Sequence, residues 1–418
     1  MYKVTIGLEV HCELTTNTKN FSSAPNAYSK FPNEHVATVD LGLPGILPIA
    51  NKEACRKSLL TSMALHCETP QKIIFDRKNY YYPDLPKGYQ ITQNTRPMGI
   101  NGYLDILVGD EEKRVLIHDL HLEEDTASLE HRGNFTLIDY NRSGVPLMEI
   151  VTEPCMHSAE EAVTFLEDLR DLFLYLKVSD ARSDLGEMRC DVNISLSPDD
   201  TLGTKVEMKN INAFSSVKAA IDYEIKRQSE LLDKGEKVVQ ETRRIASDGK
   251  TYSMREKVDA VDYKYFLEPN IPAVNVEDDY IEEIRSELPE LKLERIKRYI
   301  DLGIEKEDAY TLAKNRDISD YFDKVIKGVK DVKLAVNFMT TAIISTLNKK
   351  EISIDKLDLQ PKELSELIGL IEKNELSIDN GKKILYEAIL KKISPIELIN
   401  KQNIKQINDD DELLTLIN

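Results

Sequence analysis

The run Ile6-Gly7-Leu8-Glu9-Val10-His11-Cys12-Glu13-Leu14 decides how the first two-thirds of the chain is read. Successive side chains of an extended backbone point to opposite faces. Leu8, Val10, Cys12 and Leu14 therefore share one side, and Glu9, His11 and Glu13 the other. Two distant segments repeat the pattern. In Arg189-Cys-Asp-Val-Asn-Ile-Ser-Leu196, the residues Cys190, Val192, Ile194 and Leu196 oppose Asp191, Asn193 and Ser195; in Gly203-Thr-Lys-Val-Glu-Met-Lys-Asn210, Val206 and Met208 oppose Lys205, Glu207 and Lys209. Each is predicted to be a strand with one oily and one ionisable face.

An antiparallel sheet with one wet face explains any single strand of this kind. Such a face ordinarily mixes Thr, Ser, Lys and Gln, whereas these are weighted to carboxylates, a histidine and lysines. The segments His118-Asp-Leu-His-Leu-Glu-Glu-Asp125 and Pro146-Leu-Met-Glu-Ile-Val-Thr-Glu-Pro154 add the same types. Carboxylates gathered on one face repel and raise one another's pKa unless cations sit among them. Magnesium suits that role, because it takes oxygen ligands and is often held by one or two carboxylates together with substrate phosphates. The lysines and Arg189 would then balance phosphate charge. This would be phosphoryl transfer without a phosphate-binding loop, since G-x-x-x-x-G-K-[ST] is missing and Leu41-Gly-Leu-Pro-Gly lacks dinucleotide-binding spacing. A structural ionic network is the standing alternative.

Outward from those strands, 418 residues suggest two or three domains. Strand-like runs and turns, among them Leu43-Pro44-Gly45, Tyr82-Pro83-Asp84, Asn101-Gly102 and Ser247-Asp248-Gly249, continue to about Asn270. Two helices are predicted within this region. One opens on Ser158 with Glu161 in capping-box spacing and reaches about Leu176, and the other covers Ser215 to Gly235. From about Pro289 the pattern is helical, with Leu364, Leu367, Ile368 and Ile371 forming a core stripe just after Pro361. Asp409-Asp410-Asp411-Glu412 is read as a solvated helix start.

The remaining composition narrows the class. A net charge of −18 argues against broad capture of nucleic-acid backbone by the chain as a whole, though a local basic face or one RNA end stays open. Five scattered cysteines with no C-x-x-C pair indicate reduced thiols. The most apolar stretch, Val332 to Leu347, is interrupted by Lys333, Asn337, Thr340 and Thr341, so a buried helix is expected and no membrane partner. The start at Met1-Tyr2-Lys3 shows neither secretion signal nor transit peptide, and a soluble cytoplasmic component of an enzyme is expected.

Longer motifs add a resemblance. The segments Ile6–Leu14, Phe75-Asp-Arg-Lys-Asn-Tyr-Tyr-Tyr-Pro-Asp-Leu-Pro-Lys-Gly-Tyr-Gln-Ile-Thr-Gln93, His121-Leu-Glu-Glu-Asp125 and Asp139-Tyr-Asn-Arg-Ser-Gly-Val-Pro-Leu-Met-Glu-Ile-Val151 closely resemble the GatB family, one component of the tRNA-dependent amidotransferases. Arg189-Cys-Asp-Val-Asn-Ile-Ser195, Gly203–Asn210, Gln240-Glu-Thr-Arg-Arg244 and Asp262-Tyr-Lys-Tyr-Phe-Leu-Glu-Pro269 continue it, densely from about Tyr2 to Ile271 and loosely beyond. The implied fold is α+β: a glutamine-synthetase-like cradle of antiparallel sheet and helices over 1–288, an all-α helical domain over 289–405, and at 406–418 the start of a tail whose greater part is absent. The implied activity is that of a ligase forming carbon–nitrogen bonds with glutamine as amido donor. ATP phosphorylates the side-chain carboxylate of glutamate or aspartate mischarged on tRNA(Gln) or tRNA(Asn), and ammonia from a separate glutaminase (amidase) chain, GatA, replaces the phosphate. A small third chain, GatC, completes the heterotrimer.

By matched position the resemblance implies His11, Glu124 and Glu149 as magnesium ligands. Glu9, Glu123, Asp191 and Glu207 would complete a catalytic acidic shell, coordinating a second or transient metal with the ATP phosphates, with Lys78, Tyr80 and Lys205 as contacts to nucleotide or aminoacyl end. Because Lys19-Asn20-Phe21-Ser22-Ser23 lacks the cysteines that some members carry in the early loops, no zinc is expected. His118 falls outside the motif and is expected on the surface. Two other readings compete: a stand-alone glutamine-synthetase-type ligase acting on a small acid, and a non-catalytic RNA-binding or assembly component. The latter would be marked by loss of acidic-face residues, none of which is missing.

Overall fold

The computed structural model describes residues 2–256 and 262–402. Among these, Met1–Pro289 and Glu290–Asn418 delimit two compact units. The first is built on an eight-stranded sheet: β1 (Lys3–Glu13), β2 (Gly99–Val108), β3 (Glu111–Glu124), β4 (Pro146–Thr152), β5 (Met188–Ser197), β6 (Val206–Ile211), β7 (Glu241–Ile245) and β8 (Thr251–Glu256). In space they run β8-β7-β6-β5-β1-β4-β3-β2, so the strand that opened the sequence reading lies in the middle. Neighbours are antiparallel except β6 and β7, which are parallel. That exception has a topological cause. Helix α3 (Phe214–Asp233) joins the two strands, and a helical crossover returns the chain in its original direction.

The register places the polar residues. Glu9 stands opposite Asp191 and His11 opposite Glu149, while Glu149 is also opposite His121 and Asn193 is opposite Glu207. Partners across a ladder share a face, so these residues form one continuous polar surface. The other surface is apolar: Leu8, Val10, Cys12, Leu120, Leu122, Met148, Ile150, Cys190, Val192 and Ile194 are all buried. Helices α1 (Lys52–Ala64), α2 (Ala159–Leu176) and α3 pack against this sheet. As predicted, α2 is capped by Ser158, whose Oγ accepts from the Glu161 amide at 3.1 Å. The Glu161 carboxylate reaches one residue further back than a capping box requires, accepting from the His157 amide at 2.7 Å and from Lys113 at 2.6 Å.

The Asn101-Gly102 turn is not formed. Both residues lie inside β2, where the pairing with β3 skips Asn101 and that residue takes a left-handed φ of 55°. The register is the same on both sides of Asn101, and Gly102 has its own reason. A Cβ there would sit 2.3 Å from Cys67 Sγ and 2.5 Å from the Leu65 carbonyl oxygen. Ser247-Asp248-Gly249 does turn, between β7 and β8.

A three-stranded sheet, Phe266–Leu267, Asp76–Asn79 and Tyr89–Thr92, flanks the end of β3. Its clamps are Gln90 Nε2 donating to the Glu124 carbonyl at 2.7 Å and the Leu122 amide donating to Gln93 Oε1 at 2.9 Å. The second unit is helical throughout its described residues. Pro361–Glu372 begins with the proline at its first turn, and Leu364, Leu367 and Ile368 are fully buried. Val332 to Leu347 is helical, passing through a π-helical stretch at Met339–Ile344, and Ala335, Val336, Phe338, Met339, Ile343 and Leu347 form its buried face. Among the described residues no helix is long and apolar enough to cross a membrane. The Asp409–Glu412 run and the 406–418 segment lie outside the described residues.

Candidate active site

Two groups of potential ligands stand side by side on the polar face. The first gathers His11, Glu123 and Glu149, each offering an atom within 4.8 Å of the others. His11 Nδ1 lies 3.8 Å from Glu149 Oε2 and 3.9 Å from Glu123 Oε1, too far to bond either. That nitrogen is buried and has no hydrogen-bond partner. A buried polar atom without a partner costs free energy on the order of 1–3 kcal/mol, so its placement among carboxylate oxygens fits a cation held between them. The two carboxylates are oxygen donors of the kind magnesium takes, and the imidazole adds one nitrogen donor beside them.

Protein charges already divide the work between the two glutamates. Burial alone would push the Glu149 carboxyl up, but His11 and His121 outweigh it and hold Glu149 well below the usual carboxylate range. His121 donates through Nε2 to Glu149 at 3.1 Å and through Nδ1 to Asp119 at 2.7 Å. Against burial, which lowers it, those carboxylates raise the imidazole well above its ordinary value. Glu123 is shifted upward by burial and by the neighbouring Glu149 charge. Like charges confined together split in this way, one keeping its charge and the other favouring its proton.

The second group gathers Glu9, Asp191 and Glu207. A pairing shift between β5 and β6 at Cys190/Val192 leaves Asp191 outside the ladder with β6, and its Oδ1 accepts from the Asn210 amide at 2.8 Å. Asn193 Nδ2 donates to Glu9 Oε1 at 2.9 Å, and Thr242 Oγ1 donates to Glu207 Oε2 at 3.1 Å. Lys209 spans the group, its Nζ 2.8 Å from Asp191 Oδ2 and 2.9 Å from Glu207 Oε1.

Most of the expected site residues therefore fall into one or other group, with one correction. Glu124 is not brought to the first group. Adjacent strand residues face opposite ways, and Glu124 turns from the polar face to accept from Lys87 Nζ at 2.7 Å and the Ile91 amide at 3.0 Å. Glu123, expected in the surrounding acidic shell, stands with His11 and Glu149 instead. Lys78 lies close enough that Glu123 and Glu149 raise its pKa although burial opposes them, and its Nζ is 5.0 Å from the Tyr263 ring centroid. Tyr80 packs edge-on against Tyr263 at 5.8 Å, its hydroxyl pKa raised by burial. Lys205 is exposed just ahead of β6. Arg189 stands opposite His11 across the β1–β5 ladder and is held by Asp125 at 2.9 Å. His118 is on the surface beside Glu153. Sequence reasoning missed His121 and Asp119 as partners of Glu149; counting back by twos from Glu123 along β3 finds both.

The sheet face presents two adjoining carboxylate groups, one containing the His11 imidazole and the other bridged by the Lys209 ammonium, which defines an α+β chain with a concentrated acidic site. Comparison with known proteins makes the assignment particular. The family described as "GatB/GatE catalytic domain" matches residues 4–282, and the "GatB domain" matches residues 320–418. Three relatives are named as the B chain of an aspartyl/glutamyl-tRNA(Asn/Gln) amidotransferase. The Persephonella marina protein is 42% identical over 421 residues, covering 100% of this chain and 89% of its own length. Those of Halalkalibacterium halodurans and Mesoplasma florum are also 42% identical, covering 99% and 100% of this chain and 88% of their own lengths. The chain belongs to the GatB family.

Proposed function

We propose that this chain is the synthetase component of a tRNA-dependent amidotransferase, activating the side-chain carboxylate of Glu-tRNA(Gln), Asp-tRNA(Asn) or both. A carboxylate oxygen of the aminoacyl group attacks the γ-phosphorus of ATP and ADP leaves, giving an acyl phosphate. Ammonia supplied by a glutaminase chain of the GatA type then attacks the acyl carbon. Phosphate departs, one proton is lost, and Gln-tRNA(Gln) or Asn-tRNA(Asn) results. A small chain of the GatC type would complete the assembly.

His11, Glu123 and Glu149 would hold magnesium. When bound, that ion supplies positive charge to the phosphates. Glu149 is held below the usual carboxylate range by His11 and His121 together, so it needs no deprotonation to serve as a ligand. Lys78 offers a charge of the right sign at the edge of the same group, and Thr92 Oγ1, 3.3 Å from Glu123 Oε2, orients that carboxylate. Enclosure matters because water would hydrolyse an exposed acyl phosphate. The observation that carries the reading is the buried His11 Nδ1, without a hydrogen bond, between the buried Glu123 and half-buried Glu149 carboxylates.

Reconstitution of the full complex with ATP, magnesium and mischarged tRNA tests it. Glu149→Gln should lower amide formation by about 100-fold or more while the glutaminase partner still hydrolyses glutamine. Undiminished amidation by that variant would remove the metal assignment.

A further inference from the structure

The small sheet of Phe266–Leu267, Asp76–Asn79 and Tyr89–Thr92 carries a wall of aromatic rings beside the first acidic group. Lys78 stands opposite Gln90 in that sheet, and partners across a ladder share a face. Gln90 reaches the Glu124 carbonyl at the end of β3, so the face it shares with Lys78 is turned toward the acidic site. Phe266 is opposite Arg77, which brings Tyr265, the residue before it, alongside Lys78. The Glu123 and Glu149 charges act on both Lys78 and Tyr265, which sets the wall at the edge of that group. Tyr263 is fixed through its carbonyl, which accepts from the Asn79 amide at 3.0 Å. Three rings follow one another here. Tyr80 packs edge-on against Tyr263 at 5.8 Å and Tyr263 against Tyr265 at 6.1 Å, with Lys78 Nζ 5.0 Å from the Tyr263 centroid. Edge-on packing leaves ring faces uncovered, and Tyr265 is 40% exposed.

We propose that this wall is a stacking platform for the unpaired 3′-terminal nucleotides of the tRNA, with Tyr265 the ring on which the terminal base lies. The inference rests on the proposed function, which brings the aminoacyl ester at the 3′ end of a tRNA over the polar face. Carboxylates concentrated on that face repel RNA phosphates, and the net charge of −18 adds to the repulsion. Neutralisation of phosphates by Lys and Arg, the usual source of affinity for nucleic acid, is therefore opposed at this place. Stacking on a tyrosine ring needs no charge and accepts any base, and each stacked base contributes about tenfold or more in affinity. Lys78, and the exposed Lys264 between Tyr263 and Tyr265, offer two ammonium groups to the few phosphates nearest the end. The platform also separates a tRNA-borne acid from a free one, since a free amino acid has no base to lay on the rings.

The experiment uses the assembled enzyme and a tRNA whose terminal adenine is replaced by 2-aminopurine, a base whose fluorescence falls when it stacks. The native enzyme is expected to quench that fluorescence on binding. Tyr265→Ala is expected to lose most of the quenching and to raise KM for mischarged tRNA by about tenfold, with KM for ATP unchanged. Tyr265→Phe, which keeps the ring, should match the native enzyme in both. Because stacking is not screened by ions, the ratio of tRNA KM values between Tyr265→Ala and native enzyme should be the same at about 50 mM and about 200 mM salt. A tRNA that binds the native enzyme without quenching overturns the proposal whether or not any variant folds. So does a folded Tyr265→Ala enzyme with native quenching and native KM, and so does a ratio that disappears at the higher salt, which identifies a phosphate contact. A rise in KM for ATP in place of that for tRNA would seat the adenine of ATP on the ring and equally overturn it. The underlying reading fails separately: a native assembly that binds no mischarged tRNA removes the proposed function, and this inference with it.

Discussion

His121 and Glu149 show how single residues prepare the polar face. Their ion pair matters because both side chains are largely withdrawn from water, 14% and 13% exposed, where an unpaired imidazolium or carboxylate would be costly. Glu13, two positions beyond His11 on β1, lacks an adequate partner. Burial and the nearby Asp125 charge push its carboxyl up to about 7, against the opposing pull of Arg189 and Arg142. The unfolded chain has the lower pKa, so between about pH 4.5 and 7 the folded state binds more protons. Stability attributable to Glu13 falls across that window and stays low above it. Glu13→Gln should therefore raise Tm relative to the native protein at pH 8, by on the order of 2 °C, and change it little at about pH 4.5. Thermal unfolding at the two pH values checks this, and an equal shift at both would separate the effect from proton binding.

Strand elements explain what was legible in the sequence. The period of two identified the polar face, and Glu9, His11, Asp191 and Glu207 share it because each sits in a run whose alternation survives folding. The same period would have favoured Glu123 over Glu124, but motif position does not distinguish two adjacent glutamates. Lys209 was visible as a member of the face, yet its contact with Asp191 depends on the irregular β5–β6 pairing, which alternation does not encode. The strand path through Asn101-Gly102 was hidden for a related reason, because Asn-Gly marks a turn when only local chemistry is considered. What makes the glycine necessary is Cys67, brought against it from elsewhere in the chain. Gly102→Ala should accordingly cost roughly 1–3 kcal/mol through overpacking, measured by denaturant unfolding. A neutral result would show that Cys67 and Leu65 can retreat.

At the scale of the whole molecule, a chain of net charge −18 that acts on a tRNA-borne acid must confine its favourable contacts to a small region. The proposed chemistry needs just one such region, the aminoacyl end over the polar face, plus ammonia from another chain. Ammonium salt should therefore replace glutamine and the glutaminase reaction in the assembled enzyme but should not remove the need for ATP. Amide formed from ammonium without ATP would rule out acyl-phosphate activation. The most direct test follows one atom. When the side-chain carboxylate of the mischarged tRNA carries 18O in both oxygens, each amide formed should release one inorganic phosphate containing a single 18O, and Glu149→Gln should suppress amide and labelled phosphate together. Phosphate free of 18O, with normal amide yield, would contradict the account.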